Sequence, residues 1–267
     1  MPLLETTGIK RKILDFVEKI TYSNATLVLP NSFGLYNIIL KNKLTKKEKL
    51  KVIGNGSSNG IQTDYYDSNL VSESEKYTLK NKLGIMPEDF VFIYIGRIVK
   101  DKGINELVDA FSKISSKNQN CKLILVGPRE DHLDPLLPQT EITIKSNEQI
   151  LEVGMQKDIR PYVAISNALV FPSYREGFPN VVLQASVMGL PCIVSNINGC
   201  NEIIREGFNG IVIQPKDVFS LANAMNHILE NPDETKFMAK NARDNIVKKY
   251  QQEYIWNELL KLYKSLE

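Results

Sequence analysis

Two short segments hold the residues whose types and spacing can do chemistry. The first, Gly96-Arg97-Ile98-Val99-Lys100-Asp101-Lys102-Gly103, sets cations between two glycines directly after an apolar run. Glycine admits close backbone approach, and Arg and Lys heads at such a position can reach a phosphate. An ordinary turn with solvated charges explains the same residues at least as well. The second, Ser173-Tyr174-Arg175-Glu176-Gly177-Phe178-Pro179-Asn180, runs on into Val181, Val182, Leu183, Gln184 and Ala185. Pro179 fits the first turn of a helix, where its missing N–H costs nothing. The amides around Glu176, Gly177 and Phe178, with a helix dipole behind them, can hold an anion or sugar hydroxyls. Acids near helix N-termini are also common simply because the dipole favours them.

Such residues need elements to place them. From residue 90 onward, short apolar runs bounded by Gly, Pro, Ser or Asn alternate with amphipathic stretches. The runs at 90–95, 122–126, 168–172, 192–195 and 210–213 read as strands. Ile104, Leu107, Val108, Phe111 and Ile114 form one helix face, and Leu221, Ala222, Met225, Ile228 and Leu229 repeat it after Asp217, a capping residue. Strands this apolar, with helices between them, predict a doubly wound parallel sheet covered on both faces. Ligands of such sheets sit beyond the carboxyl ends of the strands, where both segments fall. Before this region, Ile13, Phe16, Val17 and Ile20 make a helical stripe, 25–29 a strand, Pro30-Asn31-Ser32 a break and 35–40 a second helix. At the other end Trp256, Leu259, Leu260 and Tyr263 form an apolar stripe that needs a packing partner.

The chain of 267 residues, 43% hydrophobic and 24% charged, has material for a large core and for one large or two small domains. Lys and Arg total 33 against 31 Asp and Glu, a formal charge of +2, which excludes the general basicity of a nucleic-acid binder. The charge is uneven: residues 1–60 carry net +6. Cys121, Cys192 and Cys200 make no CxxC pair and read as reduced, buried thiols. With no apolar run of 18 residues and no signal-peptide order in MPLLETTGIKRK, the chain reads as soluble and cytoplasmic. His132 and His227 read as solvated or packing residues, and no Cys/His spacing or Ser-His-Asp order suggests a metal site or a hydrolase.

Taken in order, Asn55-Gly56-Ser57-Ser58-Asn59-Gly60-Ile61, Gly96-Arg97 through Lys102-Gly103, Leu125-Val126-Gly127, Val153-Gly154, Phe171-Pro172-Ser173 and Glu176-Gly177-Phe178-Pro179-Asn180 resemble the retaining glycosyltransferases of family 4 over residues 50–250. That resemblance implies an α/β chain of the GT-B type: one complete Rossmann-like doubly wound domain plus the tail of a second. Residues 1–50 would be a remnant of the acceptor-side domain, 51–245 the donor-binding domain, and 246–267 a helix packing back toward the N-terminal part. About a hundred residues of a typical first domain would be absent, and the sequence leaves open whether Met1 is the natural start.

By the same resemblance, Arg97 and Lys102 match cations on the donor diphosphate, offsetting charge on the departing nucleotide. Glu176 matches the first acid of an E-x7-E pair near the donor sugar, with Gly177, Phe178, Pro179 and Asn180 around the sugar. Gly96 and Gly127 line the strand ends, Val153 meets the base, and Asn59 and Gly60 face the diphosphate from the linker. The second acid of the pair falls on Gln184, which keeps ribose hydrogen bonding without a carboxylate's charge-assisted strength. The donor would be a nucleotide-diphosphate sugar used with no metal or other cofactor. The acceptor would be a glycan or polyprenyl-linked sugar of a surface polysaccharide.

Rival readings are a partner-dependent nucleotide-sugar-binding chain and a GT-B epimerase or phosphorylase. The latter lacks a distinctive pyridoxal-phosphate lysine motif, and an epimerase would need acid-base residues from two domains. The basic N-terminal stretch, Lys10 to Lys12 and the lysines from 41 to 51, fits either a solvated face or peripheral contact with anionic lipid at the inner face of a membrane.

Overall fold

The computed structural model describes residues 7–267, so the first six residues of the expected 1–50 segment lie outside the described residues. Six parallel strands form one sheet: β1 (Phe90–Ile95), β2 (Cys121–Val126), β3 (Ile150–Gly154), β4 (Ala168–Phe171), β5 (Cys192–Ser195) and β6 (Gly210–Ile213), in the order β3-β2-β1-β4-β5-β6. The order reverses between β1 and β4. Right-handed crossovers leaving that seam in opposite directions put α4 (Ile104–Ser115) and α7 (Asn180–Val187) on opposite faces. This is the predicted doubly wound α/β sheet, with its seam under both chemistry-bearing segments.

Burial explains why these strands were readable. Val91 to Tyr94 are wholly inaccessible, and so are Leu169, Ile193 and Val194, because both sheet faces are covered. Helix α4 packs its Leu107, Phe111 and Ile114 stripe into this core, beside α9 (Val218–Glu230). Asp217 caps α9 as expected, its carboxylate accepting from the Ser220 amide at 3.0 Å. Strand β3 has no counterpart among the predicted strands. It lies at the sheet edge and carries Glu152 on a half-exposed run, so it lacks the continuous apolar signal. The three thiols are free and buried; burial lifts Cys121 to about 11, Cys192 to about 12, and Cys200 well above its ordinary value.

Three expectations near the chain ends need correction. The strand at 25–29 reduces to a single parallel bridge between Val28 and Leu50, since no neighbouring strand is there to pair with it. Helix α1 (Gly8–Asn24), by contrast, forms as expected, and Ile13, Phe16, Val17 and Ile20 on its stripe are exposed. At the C-terminal end, α11 (Gln252–Lys264) packs through Ile255, Leu259 and Leu262 against Ile53 and Leu27. Trp256, Leu260 and Tyr263, one residue round the helix, stay about half exposed. Both sets repeat at helical spacing, so periodicity could not choose between them. The boundary drawn at 245 also falls inside one continuous helix, α10 (Pro232–Tyr250).

The N-terminal segment holds together on a small scale. Ile39, Leu44 and Leu50 form a cluster with Leu14, Tyr22 and Val28, built around α2 (Phe33–Lys41). Lys49 Nζ donates at 2.8 Å to the carbonyls of Ser23 and Ala25, closing the C-terminal end of α1 where cations are favoured.

At the strand ends the backbones of Gly96 and Gly127 nearly touch. Gly127 sits at φ +148, and a β-carbon there would run into the Gly96 carbonyl oxygen. Gly127→Ala is therefore expected to destabilise the fold by about 2 to 4 kcal/mol. Gly84→Ala, at positive φ but in open space, should cost only about 1 kcal/mol. Urea unfolding of the two variants checks the contrast.

Candidate functional site

The loop leaving β1 curls through a 3-10 turn at Lys100–Lys102 and then enters α4. The loop leaving β4 runs through Ser173 and Glu176 into α7. Across the seam the two loops are joined: the Tyr174 amide donates to the Asp101 carbonyl at 3.0 Å, and Lys102 Nζ lies 2.6 Å from Glu176 Oε1. Those two side chains are 15% and 17% exposed, so the pair is well sheltered from water. The Ser173 hydroxyl stands 3.0 Å from the same carboxylate oxygen.

Arg97 lies on the same crevice but turns toward β2. Its guanidinium donates to Glu130 at 2.6 Å, which raises its pKa, and reaches Asp101 at 3.9 Å. Asp101 in turn pairs with Arg175 at 2.9 Å. The backbone carbonyl of Arg97 accepts from the buried Tyr94 hydroxyl at 2.8 Å, and burial holds that hydroxyl protonated far above its usual range. The loops after β1, β2 and β4 thus carry a chain of ion pairs, Glu130–Arg97–Asp101–Arg175, and beside it the Lys102–Glu176 pair.

The structure brings most predicted residues together at the strand ends. Gly96, Gly127 and Gly154 follow one another along them: the Gly96 amide donates to the Val126 carbonyl and the Gly127 amide to the Gly154 carbonyl, both at 2.9 Å. Pro179 is the residue before α7 rather than its first, and Asn180 opens the helix. Phe178 tucks its ring inward against Tyr250, centroids 5.4 Å apart, which leaves only its backbone on the loop surface. The Val153 carbonyl accepts from the Gln156 side chain at 2.6 Å. Gln184 Nε2 donates to the Tyr66 hydroxyl at 2.7 Å.

Asn59 and Gly60 do not fall where they were expected. Asn59 Oδ1 accepts from the Trp256 indole at 2.7 Å, and Gly60 is pressed against Tyr250 and Gln252 at the α10–α11 junction. The linker approaches the Glu176 loop slightly earlier. Gly56 lies against the Phe178 ring, and the Ser57 amide donates to the Asn31 carbonyl at 2.7 Å. A hollow of about 620 Å³ between α3 (Glu73–Lys82) and the loop after β3 includes none of the predicted residues.

Sequence reasoning missed the turn after β5. Asn198 Nδ2 donates to the Gly177 carbonyl at 2.7 Å, and the Glu202 carboxylate accepts from the amides of Phe33 and Gly34 at 2.8 and 2.9 Å. The available signal was the one used elsewhere: polar residues and a glycine directly after an apolar strand.

Chemically, the arrangement offers paired cations and a helix N-terminus to an anion, with a fixed carboxylate beside them. A family profile described as "Glycosyl transferases group 1" matches residues 75–245. The chain is 32% identical over 263 residues to the capsular polysaccharide biosynthesis glycosyltransferase CapM of Staphylococcus aureus, covering 98% of this chain and 68% of that protein. It is 34% identical over 176 residues to a UDP-Gal:alpha-D-GlcNAc-diphosphoundecaprenol alpha-1,3-galactosyltransferase of Escherichia coli, covering 64% of this chain and 45% of that protein. The chain therefore spans about half to two thirds of the length of these relatives. In fold it matches Anabaena Alr3699/HepE in complex with UDP and glucose, with a TM-score of 0.84 at 23% identity over 95% of this chain and 67% of that one. It also matches the C-terminal domain of a group 1 family protein (LpcC) of Francisella tularensis, TM-score 0.63 at 22% identity, over 72% of this chain and 99% of that one.

Removing one partner of a sheltered ion pair strands the other. Lys102→Met is expected to destabilise the chain by about 2 kcal/mol. Lys102→Met combined with Glu176→Gln should cost less than the two single changes added, as contacting residues do. A urea-unfolding double-mutant cycle measures both; additivity would contradict the pairing.

Proposed function

The chain belongs to the glycosyl transferases group 1 family, and from that premise we propose that it binds a nucleotide-diphosphate sugar and transfers the sugar, with retention at the anomeric carbon. The acceptor we propose is a glycan or polyprenyl-linked sugar of a surface polysaccharide, in keeping with the names of its S. aureus and E. coli relatives. The observation that carries this reading is the Lys102–Glu176 pair at the point where strand order reverses, beside Arg97 and the start of α7.

In this reading the donor diphosphate takes over Arg97 and Lys102 from their carboxylates and rests near the amides that open α7. The bond between the anomeric carbon and the phosphate oxygen breaks while the acceptor hydroxyl oxygen attacks the same face. The proton of that hydroxyl passes to the departing diphosphate, and both cations stabilise the charge left there. Glu176, released by Lys102 and still held by Ser173, faces the sugar in this reading. Gln184, held by Tyr66, offers its amide oxygen to the ribose hydroxyls. No metal is needed in this scheme, because two fixed cations supply the counter-charge.

A second reading is favoured by α1, whose Ile9, Ile13, Phe16, Val17 and Ile20 face solvent. In it the chain binds the donor, and a further polypeptide or a membrane covers α1 before transfer occurs. None of the described helices is long and apolar enough to cross a membrane, so the contact would be peripheral.

Thermal shift with UDP-, GDP- and ADP-sugars should identify the donor base, with UDP favoured by the names of the relatives. Arg97→Ala should then weaken the donor by about 1 to 2 kcal/mol in calorimetry, as expected for a charge-assisted contact at a part-exposed guanidinium. Unchanged affinity refutes its role. Gln184→Glu should tighten the nucleotide, and indifference counts against the ribose placement. Flotation with anionic vesicles tests the lipid cover: binding lost at high salt supports a membrane at α1, and no binding at low salt leaves a polypeptide as the cover.

A further inference from the structure

The N-terminal segment reaches the loop carrying Glu176 in two ways: Asn31 lies against Gly177, and side-chain hydrogen bonds run through the turn between β5 and α8 (Cys200–Ile203). On one side of that turn the Ser32 hydroxyl donates to Asn198 Oδ1 at 3.0 Å. Ser32 is also the cap of α2, accepting from the Leu35 amide at 3.1 Å. On the other side Asn198 Nδ2 donates to the Gly177 carbonyl at 2.7 Å and approaches the Glu176 carbonyl at 3.3 Å. One amide group thus has its acceptor committed to the N-terminal segment and its donors committed to the loop. Asparagine suits this place because a single planar head carries both functions, whereas an aspartate of the same shape could not donate. The contact is close: a β-carbon on Gly34, in the first turn of α2, would collide with Asn198 Oδ1.

We infer that Asn198 is a positioning residue that holds the Glu176–Gly177 loop in its sugar-facing geometry and makes that geometry depend on the placement of α2. The inference rests on the donor reading of Glu176. Lys102 and Ser173 fix the Glu176 carboxylate, but they leave the backbone at Gly177 to Asn198. When α2 moves away, Ser32 withdraws from Asn198 and its amide loses the contact that sets its rotation. Two loop carbonyls then lose their donor together. Because the coupling is an equilibrium property it works in both directions, so a donor sugar seated on the loop also favours the bound position of α2. Asn198 thereby couples α2 to the donor side of the crevice.

The test compares Ser32→Ala, Asn198→Ala and Asn198→Asp with Glu202→Gln. The last weakens the same end of α2 but leaves Asn198 in place. Hydrogen exchange on peptides covering 173–182 in the free chain should speed up about fivefold or more in Ser32→Ala and Asn198→Ala, and less than about twofold in Glu202→Gln. In calorimetry Asn198→Ala should weaken UDP-glucose about tenfold while UDP alone changes less than about threefold, because Asn198 serves the sugar end of the crevice. Asn198→Asp should lose at least as much, since it sets a carboxylate against two carbonyls.

Unchanged exchange in Ser32→Ala overturns the coupling. So does an equal effect of Ser32→Ala and Glu202→Gln, which would trace the loosening to helix fraying, or an equal loss of UDP and UDP-glucose. A wild-type chain that binds no UDP-, GDP- or ADP-glucose overturns the donor reading instead. The exchange comparison, which needs no ligand, then decides the joint by itself.

Discussion

The ion pair between Lys102 and Glu176 is the interaction on which the rest of the crevice depends. Strand order reverses between β1 and β4, so the loops after these strands diverge and leave a gap above the sheet. A gap between diverging loops has no intrinsic shape; the 2.6 Å contact across it supplies one. Around that contact Arg97 faces Glu130 and Arg175 faces Asp101. These paired charges leave the crevice close to neutral, with its polar groups oriented in advance. An entering diphosphate takes over existing partners instead of ordering loose lysines, which lowers the entropy lost on binding.

How much of this was legible in the sequence follows from burial. Runs such as Phe90–Ile95 are read easily because a strand covered on both faces must be apolar throughout. Strand β3 escaped because an edge strand is free to carry Glu152, which reaches out to Arg129. Arg97, Lys102 and Glu176 could be found because their residue types are unusual at strand ends. The turn holding Asn198 and Glu202 carried the same polar-and-glycine signal, but the roles of Asn198, Glu202 and Glu130 are set by partners distant in the chain: Ser32, the start of α2 and Arg97. The misplacement of Asn59 and Gly60 has the same origin. The linker motif was visible, but its register against Phe178 and Trp256 is a tertiary property.

The N-terminal segment behaves differently from the sheet domain. Its own cluster is small, α1 adds only Leu14 and Tyr22 to it, and one tie to the sheet domain is the Glu202 carboxylate on the first amides of α2. That contact combines two favourable terms, hydrogen bonds to otherwise unpaired amides and an anion at the positive end of a helix. It fixes a direction as well as a distance, so the segment is oriented over the crevice by a few polar contacts with little apolar area behind them.

The sealed state of the three thiols has a practical consequence. Cys121, Cys192 and Cys200 are buried and held protonated, so maleimides and nitroxide reagents find no native competitor on the folded chain. Cysteines introduced on the exposed faces of α1 and α10 can be labelled in pairs without first stripping the chain of its own. Spectroscopic distances between such labels would report how the N-terminal segment is placed against the sheet domain.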